Sequence, residues 1–275
     1  MPAIRTVTEA DLPSLVALTE DRGWFYPEHR WTFLLGAGEV FGVDGERGDL
    51  AGVVLLTRYG PGLAAIGTML VHSRYGRQGL GTALMRHALH QAGDATVFLY
   101  ATPYGRPLYA RLGFRTTGTL YTYTGPFAPE NVPEGSRVAG PGDRDGILRL
   151  DAEVFGADRE SLLAQVDKYA HQVRVIDRDG RITGYAAALP ARDGIAIGPL
   201  AAASDEDARA LITDLARETG TTVRLDLAES RTALRSWAAA RGLRPNDGNA
   251  MMVLGDRLLP GDRDRLYLPV MTALG

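Results

Sequence analysis

The sequence contains no cysteine, and Lys168 is its one lysine. Without cysteine, the chain cannot form disulfide bonds, thiolate metal sites or a cysteine nucleophile. Its net charge of −3 at pH 7 offers no electrostatic argument for a nucleic-acid partner or an anionic membrane surface. It also has no apolar run long enough to cross a bilayer, and its first residues lack the basic-then-apolar order of a signal peptide. We therefore expect a cytoplasmic protein that binds neither nucleic acid nor a membrane.

The length of 275 residues is enough for two domains of ordinary size. Strand-like apolar runs alternate with helix-periodic segments from Ile4 to Tyr123, which predicts an α/β fold. The stretch that follows is rich in Pro and Gly, including Gly125-Pro126 and Pro133-Glu134-Gly135, and these residues interrupt regular structure. We therefore predict two domains, residues 1–125 and 143–275, joined by a linker over residues 126–142.

The second predicted domain repeats the order of elements in the first. A hairpin around Asp177–Gly180 and a strand over 195–200 precede a helix over 207–217. Another strand (223–227) and a further helix (232–241) follow, as their counterparts do between Val97 and Phe114. A weak similarity with the same order of elements indicates an internal duplication.

A glycine-rich stretch between Met69 and Met85 has the most specific pattern in the chain. A strand-like run ends at Val71, and a loop containing Gly76, Gly79 and Gly81 leads directly into an amphipathic helix. Glycines let the backbone approach a ligand closely, and a helix N-terminus offers unpaired N–H groups and a positive dipole end to a phosphate. The pattern predicts a pyrophosphate-binding loop.

Two segments together resemble the GNAT acetyltransferase superfamily: Val71-His-Ser-Arg-Tyr-Gly-Arg-Gln-Gly-Leu-Gly81 and Leu108-Tyr-Ala-Arg-Leu-Gly-Phe114. The duplicated layout resembles the tandem-GNAT subgroup. This resemblance implies two GNAT-like domains of the α/β (α+β mixed sheet) class, each a central mixed sheet flanked by helices. It also implies acetyl-CoA, or another acyl-CoA, as co-substrate and no metal. One departure is Gly76, which stands where the family usually has Gln or Arg.

The resemblance also implies roles for individual residues. Tyr109 would protonate the departing thiolate as a general acid, although a tyrosine at this position could instead pack in the core. Arg77 and Gln78 could supply the donors that Gly76 lacks. The residues expected to bind the acyl-CoA are Met69, Leu70, Val71, Gly76, Arg77, Gln78, Gly79, Leu80, Gly81 and Thr82.

The family places its acceptor groove beneath the first two helices and their connection. Four aromatic side chains are therefore expected to contact the acceptor: Trp24, Tyr26, Trp31 and Tyr104. Aromatic rings can hold an amine through cation–π contacts, but they could equally form the core between the two helices. Glu28, Glu39 or a water chain without a dedicated residue could serve as general base, but each acid alone is more often a solvated surface group, so no general base is assigned.

The second copy lacks the features that would bind an acyl-CoA. Its equivalent loop, Leu200-Ala-Ala-Ala-Ser-Asp-Glu-Asp207, has no glycines and carries three acids, which would repel a pyrophosphate. Ala238 stands where the first copy has Tyr109. We therefore expect one acyl-CoA site per chain. The second domain would cover the first domain's sheet edge or shape the acceptor pocket.

These features predict an acyl-CoA-dependent N-acyltransferase, most simply one that moves acetyl to the primary amine of a small molecule by direct attack. One alternative acceptor is a protein or peptide N-terminus. A non-catalytic acyl-CoA sensor is the other alternative, although it would have no need for Tyr109. We expect a monomer or a homodimer.

Overall fold

The computed structural model describes residues 3–217 and 222–274 and shows a sheet of 14 strands with helices packed on it. The strands are β1 (Arg5–Val7), β2 (Glu39–Asp44), β3 (Leu50–Tyr59), β4 (Leu63–Val71), β5 (Thr96–Ala101), β6 (Phe114–Pro126), β7 (Arg137–Val138), β8 (Gln172–Arg178), β9 (Arg181–Ala191), β10 (Gly194–Ala201), β11 (Thr222–Ala228), β12 (Arg244–Pro245), β13 (Asn249–Leu254) and β14 (Leu266–Leu268). The helices are α1 (Leu12–Asp21), α2 (Glu28–Ala37), α3 (Leu80–Ala92), α4 (Arg106–Arg111), α5 (Arg144–Phe155), α6 (Glu160–Tyr169), α7 (Asp205–Arg217) and α8 (Thr232–Ala240).

The sheet is mixed, which confirms the predicted fold class. Its order is β1-β2-β3-β4-β5-β13-β6-β11-β10-β9-β8-β7, with β12 beside β6 and β14 beside β10. The pairs β4–β5 and β10–β11 are parallel, and the other paired strands run antiparallel. Each parallel pair is connected through a helix, α3 in the first half and α7 in the second.

The two halves of the chain exchange their last long strands. The N-terminal β6 pairs with β11 of the second half, and β13 from the second half lies between β5 and β6. From the local pattern we predict a strand that ends at Tyr123, and we predict no strand at β13. β6 instead continues to Pro126. It is longer than predicted because it pairs with β11 as far as Pro126. The predicted domain limits stay a prediction.

Two faces of the sheet carry the hydrophobic core. One buried cluster spans both halves and contains side chains of α1, α2, α5 and α6. Trp31 and Phe155 are among its largest side chains. The other face has one cluster under α3 and α4 and a second under α7 and α8. Because the first cluster is continuous across the halves, they pack as one body.

The predicted linker and its surroundings contain structure that the sequence pattern did not indicate. β7 lies inside the linker and pairs with β8, and α6 follows α5 without having been predicted. Asp214 accepts hydrogen bonds from the backbone N–H groups of Gly135 and Ser136, which fixes the linker against α7. No helix of the described residues is both long enough and apolar enough to cross a membrane.

Candidate active site

The site begins where β4 and β5 separate. Their parallel pairing ends at Ala65 and Phe98, and β4 then continues to Val71 with its backbone edge free on that side. The register of β4 against β3 shifts in the same region, and Thr68 has a φ of +46°. Such a conformation is unusual for a β-branched residue and marks a local distortion of the strand. The result is a V-shaped opening with unpaired backbone groups along one wall.

The glycine loop crosses the wide end of this opening. Gly79, with a φ of +82°, is the N-cap of α3, and Arg77 also has a positive φ, of +61°. A side chain at Gly79 would meet no atom within 4 Å, so the backbone there is open to a ligand. The first-turn N–H groups, those of Leu80, Gly81 and Thr82, have no acceptor within the helix. The loop therefore presents donors and the positive end of the helix dipole to the opening.

Asp21, at the C-terminal end of α1, anchors the start of the loop. Its carboxylate accepts hydrogen bonds from the Ser73 backbone N–H at 2.7 Å and from the Ser73 hydroxyl at 2.6 Å. His72 Nε2 lies 3.6 Å from the same carboxylate. Partial burial raises the pKa of Asp21, but the bonds from Ser73 and the nearby His72 outweigh it and hold the pKa below its ordinary value. Asp21 is thus ionised and ties the first helix to the loop.

The cleft enclosed by these elements has a volume of about 730 Å³. Three arginines lie on its wall, Arg22, Arg77 and Arg111, and none makes an ion pair with another residue of the described chain. No aspartate, glutamate or histidine stands among its described lining residues. A concave surface with cations and no acids favours an anionic ligand.

Tyr109 lies on α4 at the inner wall of the cleft. Its side chain is 8% exposed, and burial raises the pKa of its phenol to about 12. Gly105 makes this placement possible, because a Cβ at that position would lie 2.9 Å from the Tyr109 ring. The phenol is therefore protonated across the physiological pH range and can act as an acid.

Most of the predicted site residues line this cleft, but two do not. Gln78 is exposed on the loop and is not among the residues that line the cleft, so the structure gives no support to its predicted replacement of the donor that Gly76 lacks. Trp31 is fully buried in the core beneath α2, so its predicted contact with the acceptor does not match its position. The predicted residues on the wall are Met69, Leu70, Val71, Gly76, Arg77, Gly79, Leu80, Gly81, Thr82, Tyr109, Trp24, Tyr26 and Tyr104.

The cleft also contains residues that the sequence analysis missed. Thr68 is 6% exposed, and its hydroxyl has no hydrogen-bond partner among the described residues. Asn249, Thr272 and Ala273 reach the wall from the C-terminal part of the chain. No local pattern marks these three, because only tertiary packing brings them to β4. Tyr100, which also lines the cleft, could have been suspected from its place near the end of β5.

A second cavity of about 470 Å³ lies between the two halves and shares Trp24 and Tyr26 with the first. Its walls come from the α1–α2 connection, from β9 to β11, and from the segment containing Val270 and Met271. Arg224 and Asp226 form an ion pair there, with 3.0 Å between Nη2 and Oδ2. Glu28 and Glu39, the two acids considered as bases, line neither cavity.

The second half has an opening equivalent to the first, but the chain itself fills it. The pairing of β10 with β11 ends at Ile197 and Leu225, and β14 pairs with β10 just beyond, at Leu200 and Ala201. In the first half the corresponding edge of β4 is free. The structure thus supplies a physical reason, beyond the acids at α7, for expecting no acyl-CoA in the second half.

Comparison with known families gives two matches, one in each half. Residues 5–114 match the Acetyltransferase (GNAT) family, and residues 147–268 match an Acetyltransferase (GNAT) domain. Together the two matches span the strand-and-helix units on either side of the linker.

One curated protein and two solved structures match this chain over nearly its whole length. An uncharacterized N-acetyltransferase of Bacillus subtilis, YitH, is 27% identical over 273 residues, which covers 97% of this chain and 96% of that protein. A candidate acetyltransferase from Pyrococcus horikoshii has a TM-score of 0.84 at 20% identity and covers 99% of this chain and 95% of its own. A tandem GNAT protein from the clavulanic acid biosynthesis pathway has a TM-score of 0.63 at 18% identity, with coverages of 91% and 97%.

Proposed function

Since this chain belongs to the GNAT acetyltransferase family and carries two such domains in tandem, we propose that its N-terminal half moves acetyl from acetyl-CoA to a primary amine of a small molecule. The observation that carries the proposal is the conjunction at β4. A free backbone edge, an open helix N-terminus and a buried protonated phenol all face one cleft. No feature of the site favours an acyl chain longer than acetyl, so we propose acetyl transfer. We propose the cytoplasm as the place of the reaction.

The residues of the cleft fit the parts of acetyl-CoA. Between Met69 and Val71, the backbone N–H and C=O groups of β4 that point away from β3 can pair with the amides of the pantetheine arm, as an added strand would. The first turn of α3 can bind the pyrophosphate, and Arg77 and Arg111 add positive charge around it. Because Gly79 is open, the phosphates can approach the backbone closely.

The chemistry needs one proton acceptor and one proton donor. A neutral amine attacks the thioester carbonyl, the C–S bond breaks, and the departing thiolate takes a proton from the Tyr109 hydroxyl. Because no acid or imidazole lines the cleft among its described residues, the amine's proton leaves through solvent or through the second cavity. We assign no general base.

The second cavity supports a small acceptor over a protein. Residues of both halves line it, and its volume of about 470 Å³ lies in the range of small-molecule sites. A peptide N-terminus is the second candidate acceptor. A non-catalytic sensor is disfavoured because it would not need the proton donor that Tyr109 provides.

The test combines acetyl-CoA calorimetry with a thiol-release assay over a set of small primary amines. We expect binding of acetyl-CoA and amine-dependent release of free CoA. Absence of acetyl-CoA binding would overturn the proposal. Binding together with release driven by peptides but by no small amine would replace the acceptor with the peptide alternative, and binding without any release would identify the sensor.

A further inference from the structure

The cavity between the halves contains an arginine side chain with a buried donor that has no partner among the described residues. Arg30, on α2, lines this cavity, and its Nε atom is buried without a hydrogen-bond partner. Its guanidinium forms no ion pair with any residue among 3–217 and 222–274; its carbon Cζ lies 3.9 Å from the centre of the Tyr26 ring. A buried donor that is left unpaired costs free energy. Arg209 and Arg241 also have a buried, unpaired Nε, but of these three arginines only Arg30 lines either cavity, so a ligand in the cavity is the acceptor available to it.

The stacking on Tyr26 also fixes how Arg30 can act. A guanidinium that packs its face on a ring directs its N–H groups outward in the plane of the group, and two of these in parallel match the two oxygens of a carboxylate. Tyr26 lines both cavities. The free cation is therefore one aromatic ring away from the donor cleft.

The other charges of the cavity leave this cation uncompensated. Arg224 and Asp226 neutralise each other, and Thr122 also donates to Asp226 at 2.6 Å. Arg192 lies over the exposed Phe25 ring at 5.1 Å at the mouth, with Asp193 beside it on the same turn. The charged residues that line the cavity thus have an excess of one positive charge. Asp193 at the mouth disfavours a doubly charged phosphate more than a singly charged carboxylate.

We propose that the acceptor is a primary amine that also carries a carboxylate, bound by Arg30 in the cavity between the halves while its amine enters the donor cleft. The proposal rests on the proposed acetyl transfer and adds the class of acceptor. Trp24 and Tyr26 form the shared wall between the cavities, and the acceptor spans this wall. Arg30 is a specificity-determining residue here and takes no part in the transfer itself.

The test uses matched pairs of amines that differ only in charge. β-Alanine, 4-aminobutyrate, 6-aminohexanoate and a set of α-amino acids are assayed for CoA release beside their carboxamides. Because a hydrogen-bonded charge contributes about 1.5–3 kcal/mol, we expect the best acid to exceed its amide by about ten- to hundredfold in kcat/KM. Arg30→Gln should remove this preference by raising KM for the acid, with KM for acetyl-CoA unchanged. Arg30→Lys should retain part of it.

Arg47→Gln is the matched control, because Arg47 is exposed on the β2–β3 turn and lines neither cavity. Equal use of acids and amides by the wild type would overturn the proposal, and so would a preference that survives in Arg30→Gln. The melting temperature with the N-acetylated acids and amides gives a readout that needs no turnover, and no difference between them there counts against the proposal too. Failure to bind acetyl-CoA would instead overturn the proposed acetyl transfer, so the two failures are distinguishable.

Discussion

The Tyr267 hydroxyl donates a hydrogen bond to Oδ1 of Asp205, with 2.8 Å between the oxygens. Tyr267 is the middle residue of β14, and Asp205 is the first residue of α7. The bond therefore holds the chain's own strand in the opening of the second half, at the helix end where a pyrophosphate would otherwise bind. The opening is free in the first half and filled by β14 in the second half. We therefore expect only the first half to bind an acyl-CoA.

We predict one acetyl-CoA per chain. Calorimetry should give a stoichiometry near one for the wild type, and Gly79→Glu should abolish binding because it places a carboxylate at the phosphate position. Tyr267→Ala should leave the stoichiometry at one, since Asp205, Glu206 and Asp207 still repel phosphate at α7. A stoichiometry near two in either protein would contradict the assignment of the second half.

The control for Gly79→Glu has to carry the same backbone strain. Gly48 has a φ of +76° and, like Gly79, would place a new side chain in open space, but it lies on the β2–β3 turn. Gly48→Glu should therefore lose a similar amount of stability, about 1 kcal/mol, and bind acetyl-CoA normally. Loss of binding in both variants would show that destabilisation explains the effect at Gly79.

Tyr109→Phe should lower kcat and leave KM for acetyl-CoA nearly unchanged. General acid catalysis contributes about 10²–10⁴-fold in typical enzymes, and a loss in this range is expected. With the phenol pKa at about 12, Tyr109 stays protonated up to strongly alkaline pH, so kcat should show no decline due to its ionisation below pH 10. The unfolding midpoint of the variant serves as control and should match the wild type. Unchanged turnover would rule out the general-acid role.

The packing of the C-terminal segment against the sheet should depend on two glycines, which lie at equivalent places in the two halves. A Cβ at Gly67 of β4 would lie 2.1 Å from the carbonyl oxygen of Ala273, and one at Gly198 of β10 would lie 2.1 Å from that of Pro269. Gly67→Ala should therefore destabilise the protein by about 1–3 kcal/mol and impair turnover, because Ala273 lines the donor cleft. Urea unfolding and kinetics measure both effects.

Gly62→Ala is the appropriate comparison for Gly67→Ala, because the added methyl group at Gly62 meets no atom within 4 Å. It should unfold at nearly the wild-type urea concentration. Equal stability of the two variants would mean that the C-terminal segment moves away from Gly67 without cost.

Asp21→Asn should loosen the phosphate-binding loop. An amide cannot accept both hydrogen bonds from Ser73 with its two terminal atoms, so we expect a loss of about 1 kcal/mol in unfolding free energy and a higher KM for acetyl-CoA. Because the folded-state pKa of Asp21 is lowered, its contribution is present above the unfolded pKa, near 3.9, and is lost as the pH falls through the folded value.

Urea unfolding at several pH values measures this dependence. The difference between wild type and Asp21→Asn should be constant from pH 6 to pH 8 and should shrink only below about pH 4. Glu20→Gln, at the exposed neighbouring position, should show no such difference. A difference that disappears already near pH 6 would contradict the assignment of this stabilisation to the Asp21 carboxylate.

Local patterns predicted most of the regular elements. The glycine loop and the helix it begins were predicted from spacing, since a strand, a glycine turn and a helix N-terminus are encoded by neighbouring residues. The role of Tyr109 was implied by the resemblance to the GNAT superfamily. By contrast, β13 was missed because its apolar run is short and its partners, β5 and β6, are more than a hundred residues away in the sequence. Trp31 was predicted to contact the acceptor but is buried in the core. The periodicity of α2 does not show which side of the helix the second half covers.

The sequence by itself indicated the donor side of this protein: a glycine loop that begins a helix, and a second copy that lacks such a loop. The proposed roles of that loop and of Tyr109 follow from the resemblance to the GNAT superfamily. Only the tertiary structure forms the cavity in which we propose that the acceptor binds. Exchange of β6 and β13 joins the halves into one sheet, which creates the cavity around Arg30 and brings Ala273 to β4. These contacts join residues far apart in the chain, so no local pattern can contain them.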